Sequence, residues 1–208
     1  MVCRTERIPV EGVTKRILVE GVTGRLPAEG KLRGILLIRP FERAGMEKVS
    51  IHDVEPSTWD PENRTHDRRG LTEPLNTSDV SIVHYVLEPG ERFSGSVHAH
   101  MDQEEIFIVV EGEATFDLED GDEVTVGENE AIRFAPSEFQ SGKNDSDETV
   151  VAFVLGAPRD SEDVRISRIP TMDEDVECPE CGRGDMRIPG EEDSGLVCPD
   201  CGAELVVE

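Results

Sequence analysis

The sequence predicts an all-β chain, a barrel or sandwich of short strands with a small four-cysteine module at its C-terminal end. From residue 79 onward, short apolar runs alternate with turn residues, and no helical period of useful length occurs. Turn signals at roughly 8–12 residue spacing belong to all-β sandwiches and barrels. Near the end of the 208-residue chain, four of the five cysteines stand in two Cys-x2-Cys pairs.

Each element follows from local pattern. "VSIVHYVL" is a strand stopped by Pro89-Gly90, and "EEIFIVVEG" is the next long apolar run. "EATFDLEDGDEVTV" alternates on both sides of Asp120-Gly121, the signature of a hairpin. "AIRFAP" and "TVVAFVLGAP" complete a barrel placed at residues 79–157. Before it, residues 46–78 are rich in Pro, Asp, Asn, Thr and Arg and read as an irregular lead-in. After it, residues 158–176 read as a linker and 177–208 as the cysteine module.

Charge divides the chain differently. Residues 1–45 hold nine Lys/Arg against five Asp/Glu, and contain a nine-residue repeat, "VEGVTKRI" then "VEGVTGRL". The remainder holds 12 basic and 41 acidic side chains, with Lys48 and Lys143 its only lysines. The basic stretch reads either as a mis-assigned extension ahead of a true start at Met46 or as a basic arm. A net charge of −25 repels phosphates, so nucleic acid and anionic membranes are not expected partners. Acid excess with so little lysine suits concentrated salt, where the Debye length shrinks to about 3 Å, and predicts a halophilic protein. There is no apolar run of spanning length and no signal-peptide pattern, and the cysteines are spaced for metal rather than disulfides, so the expected compartment is the cytoplasm.

"HAHMDQEE" holds two of the five histidines, one residue apart. Residues two apart on a strand face the same side, as two ligands of one metal must. His98 and His100 therefore point together. The "MDQE" segment must turn, so that Glu105 returns on the next strand and completes a two-histidine, one-carboxylate set. Such a set suits non-haem iron, and imidazole also accepts Ni, Cu and Zn. His84 and Tyr85 are consecutive on the preceding strand, so one of them points inward. Phe107, Phe134 and Phe139 are expected in the core or the pocket wall, and Glu104 in solvent.

"PGERFSGSVHAHMDQEEIFIVVEG" resembles the first motif of the cupin superfamily: a Gly, an HxH pair, a Glu, then six residues and a Gly. The spacing to Gly112 makes Glu105, rather than Glu104, the ligand by resemblance. "APSEFQSGKN" is similar to the second cupin motif. Asn144 aligns with its Asn, Gln140 stands where the family places a third histidine, and Ala135 and Ser137 replace the usual Pro and Gly. The resemblance implies a double-stranded β-helix, or jelly-roll, barrel like that of the small single-barrel cupins of halophilic archaea. It also implies a homodimer paired through an outer sheet. The implied metal set is His98, His100, Glu105 and Gln140 around Fe2+, Mn2+, Ni2+ or Zn2+. A glutamine ligates only through its neutral amide oxygen, which tilts preference toward Fe2+ or Mn2+. The amide could instead hydrogen-bond a substrate.

"CPECG" and "CPDCG" are near-duplicates, sixteen residues apart between Cys181 and Cys198. Cys178, Cys181, Cys198 and Cys201 make a four-thiolate set at zinc spacing, and the segment looks like a zinc ribbon. The glycine after each second cysteine is expected at positive φ. Rubredoxin-like iron is the rival metal. Four protein ligands leave no open position, so structure or partner docking is expected there rather than catalysis.

The resemblance implies a metal-dependent enzyme, dioxygenase or isomerase in type, acting on a small polar molecule. The alternative is a small-ligand-binding or sensing module whose ribbon docks a protein partner. The sequence leaves enzyme status open.

Overall fold

Alternation decides the sheets. In the strand Val150–Ala157, buried and half-buried residues alternate along all eight positions, so Val150, Ala152 and Val154 point inward while Val151, Phe153 and Leu155 point outward. The computed structural model describes residues 45–57, 67–170, 172, 174–189 and 195–206. The basic segment with its repeat, apart from Gly45, and also Cys3 and His66, lie outside the described residues.

A 3-10 turn, Ile51–Asp53, leads to β1 (Asp67–Gly70), a one-turn α1 (Thr72–Leu75) and β2 (Ser81–Leu87). Then come β3 (Val97–His100), β4 (Glu104–Glu111), β5 (Ala114–Leu118), β6 (Glu123–Val126), β7 (Ala131–Phe134), β8 (Gln140–Lys143) and β9 (Val150–Ala157). The C-terminal part holds β10 (Val164–Ile169), β11 (Glu174–Asp175), β12 (Met186–Arg187), β13 (Leu196–Val197) and β14 (Glu204–Leu205). One sheet runs β1-β2-β9-β4-β7 and the other β14-β13-β12-β10-β3-β8-β5-β6, with β11 on β10, and every pair is antiparallel. No helix among the described residues is long and apolar enough to cross a membrane.

The core lies between the sheets. Leu87, Val109, Phe116 and Val150 are fully buried within it. Burial of each such side chain contributes about 1.5–3 kcal/mol. Phe93, Phe107, Phe116 and Phe134 pack ring against ring, with the Phe107–Phe116 centroids 4.8 Å apart in a T-shape. Phe107 and Phe134 thus sit where the sequence predicts, but Phe139 is half-buried and outside this cluster.

Three sequence expectations change. The lead-in is not wholly irregular: β1 pairs residue for residue with β2, Arg68 opposite Tyr85. "DRRG" shows no apolar alternation because it is an edge strand held by backbone pairing. The segment read as a linker contains β10, which bridges β3 and β12. The cysteine module consequently extends the barrel's own sheet. Its small core of Val176, Met186 and Leu196 is completed by Ile166 and Ile169 of β10.

Candidate metal centres

His98 and His100 share one face of β3, opposite the buried Val97 and Ala99, and both rings line the barrel cavity. They pack edge to face with centroids 5.4 Å apart. The turn through Met101–Gln103 then carries the chain to the other sheet, and Glu105 arrives on β4. The sequence reading placed the ligands on neighbouring strands. They are consecutive in the chain, but they face each other from opposite sheets. Glu105 Oε2 is 3.8 Å from His98 Nε2, and its Oε1 is 3.7 Å from His100 Nε2.

One ligand atom from each of the three residues lies within 4.8 Å of the other two. The carboxylate-to-imidazole separations are too long for hydrogen bonds. They lie slightly above the roughly 3.4 Å edge of a tetrahedral site with bonds near 2.1 Å, so a small inward shift would seat a divalent cation. Burial lowers the His100 pKa, against the opposing pull of Glu105, so its ring is neutral near pH 7, the form a metal requires. His98 Nδ1 lies 3.3 Å from the Ser96 carbonyl and 3.2 Å from Ser94 Oγ. Donation to that carbonyl turns the Nε2 lone pair toward Glu105.

Gln140 is buried beside the set, with its Nε2 donating to Glu105 Oε2 at 3.0 Å. A carboxylate accepts and cannot donate, which fixes the amide this way round. Its Oε1 has no partner among the described residues. The structure therefore brings all four predicted barrel residues together, with Gln140 bonded to the carboxylate ligand.

In the ribbon, Cys178 Sγ is 3.5 Å from Cys201 Sγ, Cys181 Sγ is 3.6 Å from Cys198 Sγ, and Cys201 Sγ is 3.7 Å from Cys181 Sγ. These separations exclude disulfides and approach the roughly 3.8 Å edge of a tetrahedron with 2.3 Å zinc–sulfur bonds. Gly182 and Gly202 have φ of +70° and +75°, as the sequence predicts. Each closes a knuckle, its N–H donating to the carbonyl of Cys178 or Cys198 at 2.9 and 3.0 Å. Burial raises the Cys178 thiol pKa, but the N–H groups of Cys181 and Glu180, together with the Cys181 and Cys201 thiols, outweigh it and bring the value to about 6.

Residues 83–156 match the Cupin domain family. This segment is a cupin domain. No curated protein matches the chain. Among solved structures, the chain is similar to a putative sugar phosphate isomerase from Acidithiobacillus ferrooxidans. That match has 19% identity, spans 75% of this chain and 90% of that one, and has a TM-score of 0.53. A sugar phosphate isomerase of the cupin superfamily from Silicibacter pomeroyi matches at 18% identity over 69% of this chain and 94% of that one, with a TM-score of 0.51. The polyketide cyclase RemF from Streptomyces resistomycificus matches at 23% identity over 58% and 84%, with a TM-score of 0.50. At these identities the likeness is one of fold.

Two residues of the second cupin motif acquire physical meaning. Asn144 is fully buried. Its Nδ2 donates to the carbonyls of Leu87 and Glu148, and its Oδ1 accepts from Ser146 N–H and Oγ. It pins a loop and is not a ligand. Ser137, standing in place of the family glycine, has φ +72° while its N–H donates to the His100 carbonyl at 2.8 Å. A side chain in that left-handed conformation costs about 1–2 kcal/mol.

The cupin cavity holds about 820 Å³ and opens beside His98, His100 and Glu105. Tyr85 points into it, while His84 faces out and packs against Phe153. Burial raises the Tyr85 pKa, so the phenol keeps its proton at neutral pH. Arg68 Nε donates to the Tyr85 hydroxyl at 2.9 Å. Buried Gln103, whose amide donates to the Pro158 carbonyl, forms another part of the wall. Sequence reasoning missed Arg68 and Gln103. Arg68 could have been found only by recognising β1 as a strand. Glu104, expected in solvent, pairs there with Arg133.

Proposed function

We propose that this chain is a metal-dependent cupin that takes a small polar molecule into the barrel cavity and acts as an isomerase-type enzyme. The observation that carries this reading is the convergence of His98, His100 and Glu105 beside an open cavity that also presents the Tyr85 phenol. A divalent ion held by those three side chains, Fe2+ or Mn2+ ahead of Ni2+ or Zn2+, would polarise an oxygen of the bound molecule. Tyr85 supplies a protonated hydroxyl to a second oxygen. Phe93 and Phe107 line the cavity and limit its water. Gln140 and Ser96 fix the orientations of Glu105 and His98. The solved structures of similar fold include two described as sugar phosphate isomerases, which supports a redox-neutral reaction over dioxygenation. In the ribbon, four thiolates in a closed set support structural Zn2+.

The test is proton exchange. Manganese-loaded protein in D2O is incubated with a panel of small hydroxy-carbonyl compounds and followed by NMR, with oxygen uptake measured in parallel. The proposal expects carbon-bound deuterium in at least one compound, abolished by His100→Ala, and no oxygen uptake. Oxygen consumption would replace isomerase chemistry with oxygenase chemistry. Saturable binding without exchange or oxygen uptake would favour the binding module, a reading supported by the Gln140 amide that occupies one oxygen of Glu105.

Two wider properties belong to the proposal. Ile108 and Val110 are 38% and 43% exposed on the outer face of β4, beside outward Phe153. A homodimer through this face predicts twice the monomer mass in gel filtration. The acid excess predicts a folding midpoint that rises steadily with KCl up to molar concentration.

A further inference from the structure

Among the described residues, most arginines are matched to carboxylates. Arg69 grips Asp67, Arg92 meets Asp117, Arg159 meets Glu73, and Arg165 meets Asp163. Arg68 is the exception in the cavity wall. Its neighbour Arg69 points the other way and also donates to the carbonyls of Ile51, His52 and Val54. Half-buried Arg68 has only neutral partners among the described residues: Nε donates to the Tyr85 hydroxyl at 2.9 Å and Nη1 to Ser57 Oγ at 3.2 Å. It also lies over the Tyr85 ring, 5.7 Å from the centroid.

A guanidinium removed from water without a counter-ion is costly, and its planar fork suits an oxyanion. Nη2 has no acceptor among the described residues. Arg68 lines the same cavity as His98, His100 and Glu105, so one small molecule can touch both ends. The other cavity arginine is already occupied, its Nη1 donating to the Thr77 carbonyl and its Nη2 to Glu73.

We infer that Arg68, with the Tyr85 and Ser57 hydroxyls it orders, is the anchoring subsite for a carboxylate or phosphate group of the ligand. This deepens the proposed function and rests on it for the second anchor, the metal. The ligand class becomes a small oxygen-rich anion: a polar end at the histidines and an anionic end at Arg68.

The test titrates inorganic phosphate and, separately, acetate into manganese-loaded protein by calorimetry at fixed ionic strength. Paramagnetic ³¹P relaxation then reports whether bound phosphate lies near the barrel metal. Arg68→Met and Arg68→Lys are compared with wild type, with circular dichroism and metal content recorded for each. The expected result is saturable binding of at least one anion, weakened tenfold or more by Arg68→Met and less by Arg68→Lys, with metal content unchanged. Preference for phosphate or for acetate names the group. Equal affinity in Arg68→Met, or no binding of either anion to wild type, overturns the subsite. If Arg68→Met does not fold, Arg68→Lys decides, because unchanged affinity there removes the role of the planar fork. Wild-type protein without a barrel metal would sink the metal reading, while Arg68-dependent anion binding would still stand.

Discussion

The two ligand clusters of this chain are built in opposite ways. The four cysteines come from two five-residue knuckles, each closed by a glycine at positive φ and by a local N–H to carbonyl bond. The barrel set joins β3 to β4 across two facing sheets. Its geometry therefore depends on the whole barrel. The first kind of site is legible from spacing and closed to chemistry. The second depends on the fold and stays open to a cavity. The two are not independent, because in β10 Ile166 stands opposite both His98 of the barrel and Met186 of the ribbon.

The largest effect should separate the two most clearly. Cys178→Ser with Cys198→Ser removes a metal contribution on the order of 10 kcal/mol from ribbon folding. Calorimetry should lose the ribbon transition and retain the barrel transition. Barrel metal affinity should fall only a few-fold, through loosened β10.

Asn144→Ala acts on the barrel alone. It leaves the buried Leu87 carbonyl without its donor, at a cost of about 2–3 kcal/mol, read as a lower denaturant midpoint. Gln140→Leu removes the donor to Glu105 and should weaken the barrel metal about 10–100-fold, without touching the ribbon metal, as measured by competition with a chelator. Ser137→Gly relieves the left-handed serine and should stabilise the barrel by about 0.5–1 kcal/mol.

The smallest effect is one of pH. Burial holds the His84 pKa below its ordinary 6.5. The unfolded chain therefore binds the proton more readily, and stability is lost as pH falls below that value. His84→Gln should lose less stability than wild type between about pH 7 and 5, and the two should run parallel above pH 7.

The same contrast explains what the sequence reveals. The β5–β6 hairpin, the shared face of His98 and His100, and the knuckle glycines all follow from neighbours a few residues apart. The switch of sheets between His100 and Glu105 does not, because a turn shows only that the chain reverses. β1 and the two-residue strands of the ribbon are too short or too polar to carry a period. The fusion of ribbon to barrel depends on β10, whose register shifts between Ile166 and Arg168 and breaks the alternation that would have marked it.

The central claim is that the chain holds two metals on two distinct ligand sets. Its most direct test is elemental analysis of protein purified without added metal, beside Cys178→Ser/Cys198→Ser and His98→Ala. The account predicts two equivalents per chain in wild type, with zinc alone missing from the cysteine variant and the other metal alone missing from His98→Ala. A single zinc in wild type, absent from the cysteine variant and untouched by His98→Ala, would contradict it.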